Sequence, residues 1–206
     1  MRVGVDLLAR LHASLHEPLA YAGLMRALGA EKCLTRLVRE HFHIQPGDCV
    51  LDAGCGQGLL YPYLPAVTYL GLDIDARSIA HARARQPEVR FEVCDLTQDA
   101  ALHSVDVIVE IGVLHHLSDP QARAMLRLAE RTLRPGSRLI TVESAFEPGQ
   151  HRVAAVLARA DRSRFVRSGQ AYRELARAVF PNATLTIRHD LLHVPYTHAI
   201  VKCRMG

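Results

Sequence analysis

The sequence lacks long apolar runs and has few aromatic side chains. No stretch approaches 18 uninterrupted apolar residues, which argues against a membrane-spanning helix. The aromatic content of 5% leaves little surface for stacking nucleic-acid bases. The N-terminal stretch mixes charges and histidines into its apolar positions, so it lacks the apolar core and small-residue cleavage site of a signal peptide. These absences predict a cytoplasmic protein that makes no contact with a membrane.

The cysteines and histidines form no metal-binding or disulfide pattern. The five cysteines are scattered and form no CxxC pair, which favours reduced thiols over a disulfide framework or a structural zinc site. Among the 12 histidines, His41 and His43 differ by two positions, and no HExxH motif occurs. We therefore expect no metal site.

The charge is distributed unevenly along the 206 residues. Residues 1–150 hold 15 basic and 18 acidic residues, whereas residues 151–206 hold 10 and 3. This excess of positive charge indicates either an anionic partner near the C-terminal segment or a solvated helix face rich in arginine. The hydrophobic content of 49% is ordinary for a globular domain.

The apolar pattern predicts helices first and then an alternation of strands and helices. Over residues 31–42 an apolar stripe (Leu34, Leu37, Val38 and Phe42) has the period of a helix. Strands are predicted at 49–53, 67–73, 89–95, 105–110 and 137–144, with helices from Asp75 and from the Ser118-Asp119-Pro120 stretch, the acid serving as cap and Pro120 as first helical residue. This alternation is typical of a parallel sheet covered by helices on both faces.

The C-terminal part follows a different pattern. Two helices, the second capped by Ser168, precede two strands joined by a short Pro195-Tyr196 turn, so one strand would run antiparallel. The predicted fold is a Rossmann-like, doubly wound α/β fold with a seven-stranded, mostly parallel sheet, one antiparallel strand and a helical N-terminal cap. We expect a single domain over 1–206, with the cap at 1–45, a cofactor-binding core at 46–145, and a helical insertion and closing hairpin at 146–206.

The stretch VLDAGCGQG places three glycines at alternate positions after the first strand. It is not the GxGxxG of dinucleotide-binding proteins, because Leu59 stands where the third glycine belongs. Such a loop, followed by a short helix interrupted by Pro62, is where backbone N–H groups can meet a ligand. Asp52 would repel a pyrophosphate and suits a cationic amino group, while Asp73, 21 positions later, can accept the hydroxyls of a ribose. The ligand predicted from these residues is a nucleoside with a positively charged tail.

Several motifs in order resemble the class I S-adenosylmethionine-dependent methyltransferases over about residues 47–145. They are VLDAGCGQG, GLDID, VCDL, VDVIVEIGVLHHL and LRPGSRLITVES. The resemblance implies S-adenosylmethionine as cofactor, with the glycines beside its methionine part, Asp73 on the ribose, Ile74 against the adenine and Asp95 on the adenine amino group. The cofactor-binding residues implied are Asp52, Gly54, Cys55, Gly56, Gly58, Asp73, Ile74, Asp95, Leu96 and Glu110.

Each acid at a strand end has a simpler explanation. Asp73 and Asp95 could each cap a turn or a helix without touching a ligand. The C-terminal part, from RSGQAYRELARAVF to the end, resembles a bacterial subgroup of small methyltransferases without a specific substrate, so it adds to the fold prediction only.

A protonated nucleophile needs a base, and the candidates follow the fourth strand. They are Glu110, His115 and His116, and histidine has the pKa suited to proton transfer near neutrality. Adjacent side chains on a helical turn cannot both face a cleft, and His115 is preferred over His116. Glu143, at the end of the fifth strand, could bind the substrate or simply end the sheet.

The motifs of other methyltransferase classes are missing. There is no [DN]PPY after the fourth strand, no Pro-Cys nucleophile there and no two-glutamate loop. The leading prediction is therefore transfer to an oxygen or nitrogen of a small, possibly anionic molecule, under a lid formed by the N-terminal helices and the 146–180 insertion. The predicted substrate-binding residues are Tyr21, Glu143, Arg152, Arg162, Arg164, Arg167 and Tyr172. The alternatives are an RNA methyltransferase and a cofactor-binding partner protein without turnover.

Overall fold

A twisted sheet of seven strands forms the centre of the computed structural model, which describes residues 29–98, 102–160 and 164–206. In chain order the strands are β1 (Cys49–Ala53), β2 (Thr68–Asp73), β3 (Arg90–Val93), β4 (Val105–Ile111), β5 (Leu133–Ser144), β6 (Thr184–Arg188) and β7 (His198–Arg204). They are ordered β3-β2-β1-β4-β5-β7-β6. Only β7 runs antiparallel to its neighbours, β5 and β6. The predicted sheet with one antiparallel strand is confirmed.

Helices cover both faces of this sheet. They are α1 (Ala30–Leu37), which continues as a π-helical turn (Val38–Phe42), α2 (Ala76–Arg85), α3 (Asp119–Thr132), α4 (Arg152–Ala160) and α5 (Gly169–Arg177). The apolar sides of α1 and α2 join the core on one face, and those of α3 and α5 join the core on the other. No described helix is long and apolar enough to cross a bilayer. Residues 1–28 of the predicted N-terminal cap lie outside the described residues.

The helix starts follow the capping residues of the sequence, with one correction. The Asp75 carboxylate accepts hydrogen bonds from the N–H groups of Arg77 and Ser78, and Ser168 caps α5 as predicted. Helix α3 is capped by Ser118, not by the neighbouring acid, and the backbone N–H of Ser118 donates to the side chain of Gln121. Ser118 therefore occupies the position that the sequence assigned to Asp119.

Two further elements differ from the prediction. The helix expected after the glycine loop is a single 3₁₀ turn (Tyr61–Tyr63), because Pro62 lacks an N–H and Pro65 ends the segment. Strand β6 ends at Arg188, and residues 189–197 form a loop in place of a tight turn. There Arg188 and Asp190 form ion pairs with each other, with Arg36 of α1 and with Glu40 of the π-helical turn.

Candidate active site

The carboxyl ends of β1, β2, β4 and β5 lie along one edge of the sheet because these strands are parallel. The glycine loop follows β1, Asp73 ends β2, the histidine pair follows β4, and Glu143 lies near the end of β5. Open α/β sheets bind ligands at this edge. The sequence-predicted cofactor and catalytic residues therefore share one edge.

The backbone N–H groups of the glycine loop are largely used within the protein. Those of Gly54 and Cys55 donate to the carbonyl of Leu72 (2.7 and 2.9 Å), and that of Gly58 donates to the carbonyl of Cys55 (2.9 Å). The N–H of Gly56 donates to the carboxylate of Asp73 (2.8 Å). The set of N–H donors expected for a ligand is thus reduced, and the carboxylate of Asp73 lies against the loop instead.

The three glycines are required for different reasons. A Cβ on Gly54 would lie 2.1 Å from the Val113 side chain, and one on Gly58 would lie 2.6 Å from the Phe91 ring. A Cβ on Gly56 would meet no atom within 4 Å. Gly54 and Gly58 thus allow the loop to pack closely against Val113 and Phe91. Of these three glycines, only Gly56 has a Cβ position that a ligand could occupy.

Asp52 is a buried acid held by a tyrosine. Its Oδ2 accepts a hydrogen bond from the hydroxyl of Tyr69 at 2.6 Å. Burial raises the pKa of Asp52 to about 7, the Tyr69 hydrogen bond opposes this rise, and the charge of Asp73 adds to it. A ligand ammonium group nearby would stabilise the charged form of Asp52. No motif in the sequence marks Tyr69 for this role.

Asp73 connects the glycine loop to the start of α2. One carboxylate oxygen accepts from the N–H of Gly56 and the other from the N–H of Asp75, both at 2.8 Å. Each carboxylate oxygen has a second lone pair. Asp73 therefore does cap a turn, as its simpler explanation proposed, and it keeps the capacity to accept hydroxyl groups.

The ends of β2 and β3 expose apolar side chains beside an acid. Ile74 and Val93 are both exposed, and Asp95 accepts hydrogen bonds from the N–H and the hydroxyl of Thr97 (2.9 and 2.7 Å). These Thr97 hydrogen bonds hold the pKa of Asp95 below its ordinary value. Leu96 and Cys55 are buried, and Leu96 packs into the core on the α3 face, so only its backbone faces this region. An exposed apolar pair next to an ionised acid suits the adenine expected here.

Glu143 holds the loop that follows β4. Its side chain is fully buried and accepts hydrogen bonds from the N–H groups of Leu114 (2.8 Å) and His115 (3.2 Å) and from Nδ1 of His115. Although burial raises it, the hydrogen bond and charge of His115 hold the pKa of Glu143 below its ordinary value. Glu143 is thus the last residue but one of β5, and its carboxylate faces Leu114 and His115 of the histidine loop.

Glu110 is the second fully buried carboxyl of this cluster. Its Oε1 accepts from the N–H of Val113 at 2.5 Å, and its carboxyl group forms a hydrogen bond with that of Glu143. Burial and the neighbouring charge of Glu143 raise the pKa of Glu110 well above its ordinary value. Burial and the charge of Glu143 therefore favour the protonated form of Glu110, and its side chain is fully buried.

The two histidines differ in exposure. The ring of His115 is buried against Glu143, whereas the ring of His116 is exposed, and the two ring centres are 4.3 Å apart. The sequence predicts that one histidine faces the cleft, His115 by preference, and that the other packs or caps. In the structure it is His115 that packs, and His116 is exposed.

Arg167 ties the 165–167 segment to the histidine loop. Its five N–H groups donate to the carbonyls of Leu114, Phe165 and Leu117 and to the carboxylate of Asp119. Five donors are all that a guanidinium has. Arg167 therefore has no N–H left to bind a substrate anion in this arrangement.

The other predicted substrate residues fall into three groups. Tyr172 is buried, and its hydroxyl accepts from the N–H of Arg167 (3.2 Å), so it supports the Arg167 segment from the core side. Arg152 and Arg164 are exposed. Tyr21 and Arg162 lie outside the described residues. Within the described ranges, no three His, Cys, Asp or Glu side chains are placed to hold a metal ion.

Part of the chain is similar in sequence to known proteins. A family model described as a methyltransferase domain matches residues 50–136. A probable S-adenosylmethionine-dependent methyltransferase of Mycolicibacterium smegmatis is 37% identical over 117 residues, which cover 52% of this chain and 44% of that protein. A probable tRNA methyltransferase 9B of Bos taurus is 36% identical over 105 residues, which cover 50% of this chain and 23% of that protein. The matched part of the chain spans less than half the length of these relatives.

The fold has similar solved structures. The apo form of the S-adenosylmethionine-dependent methyltransferase SibL superimposes with a TM-score of 0.75 at 19% identity, covering 97% of this chain and 62% of that one. At this identity the likeness concerns the fold. Residues 50–136 thus match a methyltransferase domain, and the chain is similar in sequence and in fold to S-adenosylmethionine-dependent methyltransferases.

Proposed function

We propose that this chain transfers the methyl group of S-adenosylmethionine to an oxygen or nitrogen atom of a small molecule. One observation carries the proposal. The glycine loop with Asp52 and Asp73 lies on the same sheet edge as a histidine that a buried glutamate orients. A cofactor site and a candidate base are therefore neighbours.

The residues of the loop fit the cofactor. The Cβ position of Gly56 is open, Asp52 suits the ammonium group, and Asp73 can accept the ribose hydroxyls. Ile74 and Val93 offer an apolar surface for the adenine. Bound there, S-adenosylmethionine supplies an electrophilic methyl group on a sulfonium, and the protein's main task is to align the nucleophile with it.

His115 would take the proton of the acceptor. The Nδ1–H group donates to Glu143, which makes Nε2 the basic nitrogen of the neutral ring. The fixed hydrogen bond also stabilises the imidazolium that forms when the proton arrives. The exposed His116 would line the acceptor side, and Arg152 and Arg164 remain candidates for a negatively charged acceptor group.

The test is incubation with methyl-labelled S-adenosylmethionine and a fractionated cell extract. We expect label in a small-molecule fraction with the natural protein and none with Gly56→Val. His115→Ala should lower kcat and remove the acidic limb of its pH profile, whereas a purely structural role would lower only the melting temperature. Binding of S-adenosylhomocysteine without transfer to any fraction would favour the partner protein without turnover.

An RNA methyltransferase is the second candidate. Arg152, Arg159, Arg164 and Arg177 are exposed in the positively charged C-terminal segment, and one relative is named a probable tRNA methyltransferase. This function predicts label in the RNA fraction and an affinity for tRNA that falls steeply as salt is raised. Weak binding of tRNA that is insensitive to sequence and yields no methylated RNA would reject it.

A further inference from the structure

The buried carboxylate of Asp52 has a close partner in the phenol of Tyr69. The Tyr69 hydroxyl donates to Oδ2 of Asp52 at 2.6 Å, and both side chains are buried. It is the one hydrogen bond to this carboxylate that the described residues provide. A hydroxyl at this distance from a charged oxygen forms a strong, charge-assisted hydrogen bond. Tyr69 therefore fixes one of the two carboxylate oxygens of Asp52.

The register of β1 and β2 places Tyr69 farther from the ligand edge than Asp52. In this parallel pair Asp52 lies opposite Gly71, whereas Tyr69 lies opposite Val50, two positions nearer the amino ends of the strands. Residues two apart on a strand share one face of the sheet, so Tyr69 and Asp52 lie on the same face. The phenol therefore meets the carboxylate from the side away from the ligand edge.

Two aromatic rings hold the phenol in place. The ring centre of Tyr69 lies 5.0 Å from that of Tyr61 and 5.7 Å from that of Phe91, both in the edge-on arrangement that aromatic pairs favour. Phe91 in turn packs directly against Gly58 of the glycine loop, where a Cβ would lie 2.6 Å from its ring. Because the ring of Tyr69 is packed in this way, its hydroxyl holds Asp52 in one orientation.

The surroundings of Asp52 supply no cation among the described residues. The titratable groups that act on it there are Tyr69, Asp73 and Cys55, and none of them is basic. Burial raises the pKa of Asp52 to about 7, although the Tyr69 hydrogen bond opposes this rise. A buried carboxylate without a cation beside it is costly in free energy. The ammonium group on the methionine part of the proposed cofactor has the charge that this site lacks.

We propose that Tyr69 is a positioning residue for cofactor binding, whose hydroxyl holds the Asp52 carboxylate, ionised and in a fixed orientation, for the ammonium group of S-adenosylmethionine. This inference rests on the proposed function. Tyr69 acts through Asp52 and binds no part of the cofactor itself. Without the phenol, Asp52 stays protonated to a higher pH, so a ligand ammonium group binds only at the cost of ionising it.

Two ligands separate this role from simple packing. S-adenosylhomocysteine carries the ammonium group, whereas 5′-methylthioadenosine shares its adenosine and thioether and lacks the amino acid part. In titration calorimetry at about pH 6.5, Tyr69→Phe should weaken S-adenosylhomocysteine about tenfold, the loss expected for one hydrogen bond to a charged group. The same variant should bind 5′-methylthioadenosine as the natural protein does. Tyr61→Phe, which removes a hydroxyl from the neighbouring ring, is the matched control and should leave both dissociation constants unchanged.

The pH profile and a double variant show whether Tyr69 acts through Asp52. As Asp52 ionises between about pH 6 and about pH 8, the natural protein should bind S-adenosylhomocysteine more tightly. Tyr69→Phe should show this change at higher pH, so the tenfold difference should narrow as pH rises. Asp52→Asn removes the charge, and adding Tyr69→Phe to it should weaken S-adenosylhomocysteine no further. Binding of 5′-methylthioadenosine should not depend on pH over this range.

Other patterns would overturn the positioning role. If Tyr69→Phe weakens both ligands equally, the phenol only supports the packing of the glycine loop. If it leaves S-adenosylhomocysteine binding unchanged, or weakens it further in the Asp52→Asn background, Tyr69 does not act through the charge of Asp52. If the natural protein binds neither ligand, the proposed function itself is wrong, and the inference fails with it.

Discussion

The two halves of the ligand edge are built in different ways. In the cofactor half, around the glycine loop, polar contacts join residues close in sequence: Thr97 to Asp95 across two positions and Gly56 to Asp73 across 17. The acceptor half comprises the loop after β4, Glu143 and the 165–167 segment. There Leu114 donates to Glu143 across 29 positions and accepts from Arg167 across 53. A short motif can therefore encode the first half, whereas the second half depends on the fold that brings distant segments together.

The two buried carboxyls of the acceptor half, Glu143 and Glu110, differ in the direction of their pKa shifts, and a glutamine substitution at each position tests this difference. Glu143→Gln replaces one acceptor oxygen by an NH2 group, which leaves buried N–H groups of His115 without an acceptor, so we expect a loss of about 3–5 kcal/mol in the free energy of unfolding. Glu110→Gln replaces a carboxyl whose raised pKa favours its neutral form, so its cost should stay near or below about 1 kcal/mol. Urea unfolding at neutral pH measures both. Equal losses would contradict the assignment of one charged and one neutral carboxyl.

The pH dependence of stability tests the raised pKa of Glu110 and predicts the direction of the change. Because its pKa is raised, Glu110 stays protonated to a higher pH in the folded state than in the unfolded state. Its contribution to stability is therefore fully present below the ordinary glutamate pKa of about 4.5 and is lost as pH rises through the folded pKa. The stability of Glu110→Gln relative to the natural protein should therefore rise as pH is raised from about 4.5 through the folded pKa of Glu110. A constant difference over this range would mean that Glu110 does not titrate there.

The glycines of the loop separate packing from binding. Gly54→Val and Gly56→Val share the strain of a positive φ (82° and 52°), about 1–2 kcal/mol each. Gly54→Val also collides with Val113, so its total loss of stability should reach about 2–4 kcal/mol. Gly56→Val should show mainly the strain and should abolish binding of S-adenosylhomocysteine. Calorimetric melting and titration distinguish the two, and equal destabilisation would show that the Gly56 position is not open.

The sequence predicts the cofactor half better than the acceptor half, for a physical reason. Strand ends and the glycine loop follow from local patterns, and so do Asp52 and Asp73. By contrast, nothing in the sequence distinguishes Arg167 from the neighbouring arginines, because its contacts with the histidine loop depend on the fold. Likewise, the hydrogen bond between Glu143 and His115 joins residues 28 positions apart and is not visible in a local pattern. The short helix expected after the glycine loop is reduced to a single 3₁₀ turn around Pro62.

Asp73 gives a smaller effect, confined to the cofactor half. Asp73→Ala should weaken S-adenosylhomocysteine by about 1.5–3 kcal/mol, since it removes charged hydrogen bonds to the ribose. Asp73→Asn, which keeps an acceptor for the Gly56 N–H, should lose less. Titration calorimetry measures both variants. If Asp73→Ala binds as tightly as the natural protein, Asp73 serves only to hold the loop.

The smallest expected effects lie on the surface of the acceptor half. Arg152→Lys and Arg164→Lys should change stability by less than about 0.5 kcal/mol, because both side chains are exposed. If either arginine grips an anionic group of the acceptor, the lysine variant should raise KM, since lysine cannot form the paired hydrogen bonds of a guanidinium. Unchanged KM in both variants would remove the anionic group from the description of the acceptor.

The comparison of the two halves presupposes that S-adenosylmethionine binds at the glycine loop, and one measurement tests this most directly. The melting of the natural protein and of Gly56→Val is followed with S-adenosylhomocysteine or NAD at about 100 times the dissociation constant expected for the former. The natural protein should gain about 2.7 kcal/mol of stability from S-adenosylhomocysteine and nothing from NAD. Gly56→Val should gain nothing from either. Stabilisation by NAD alone, or equal stabilisation of both proteins by S-adenosylhomocysteine, would contradict a cofactor site at this loop.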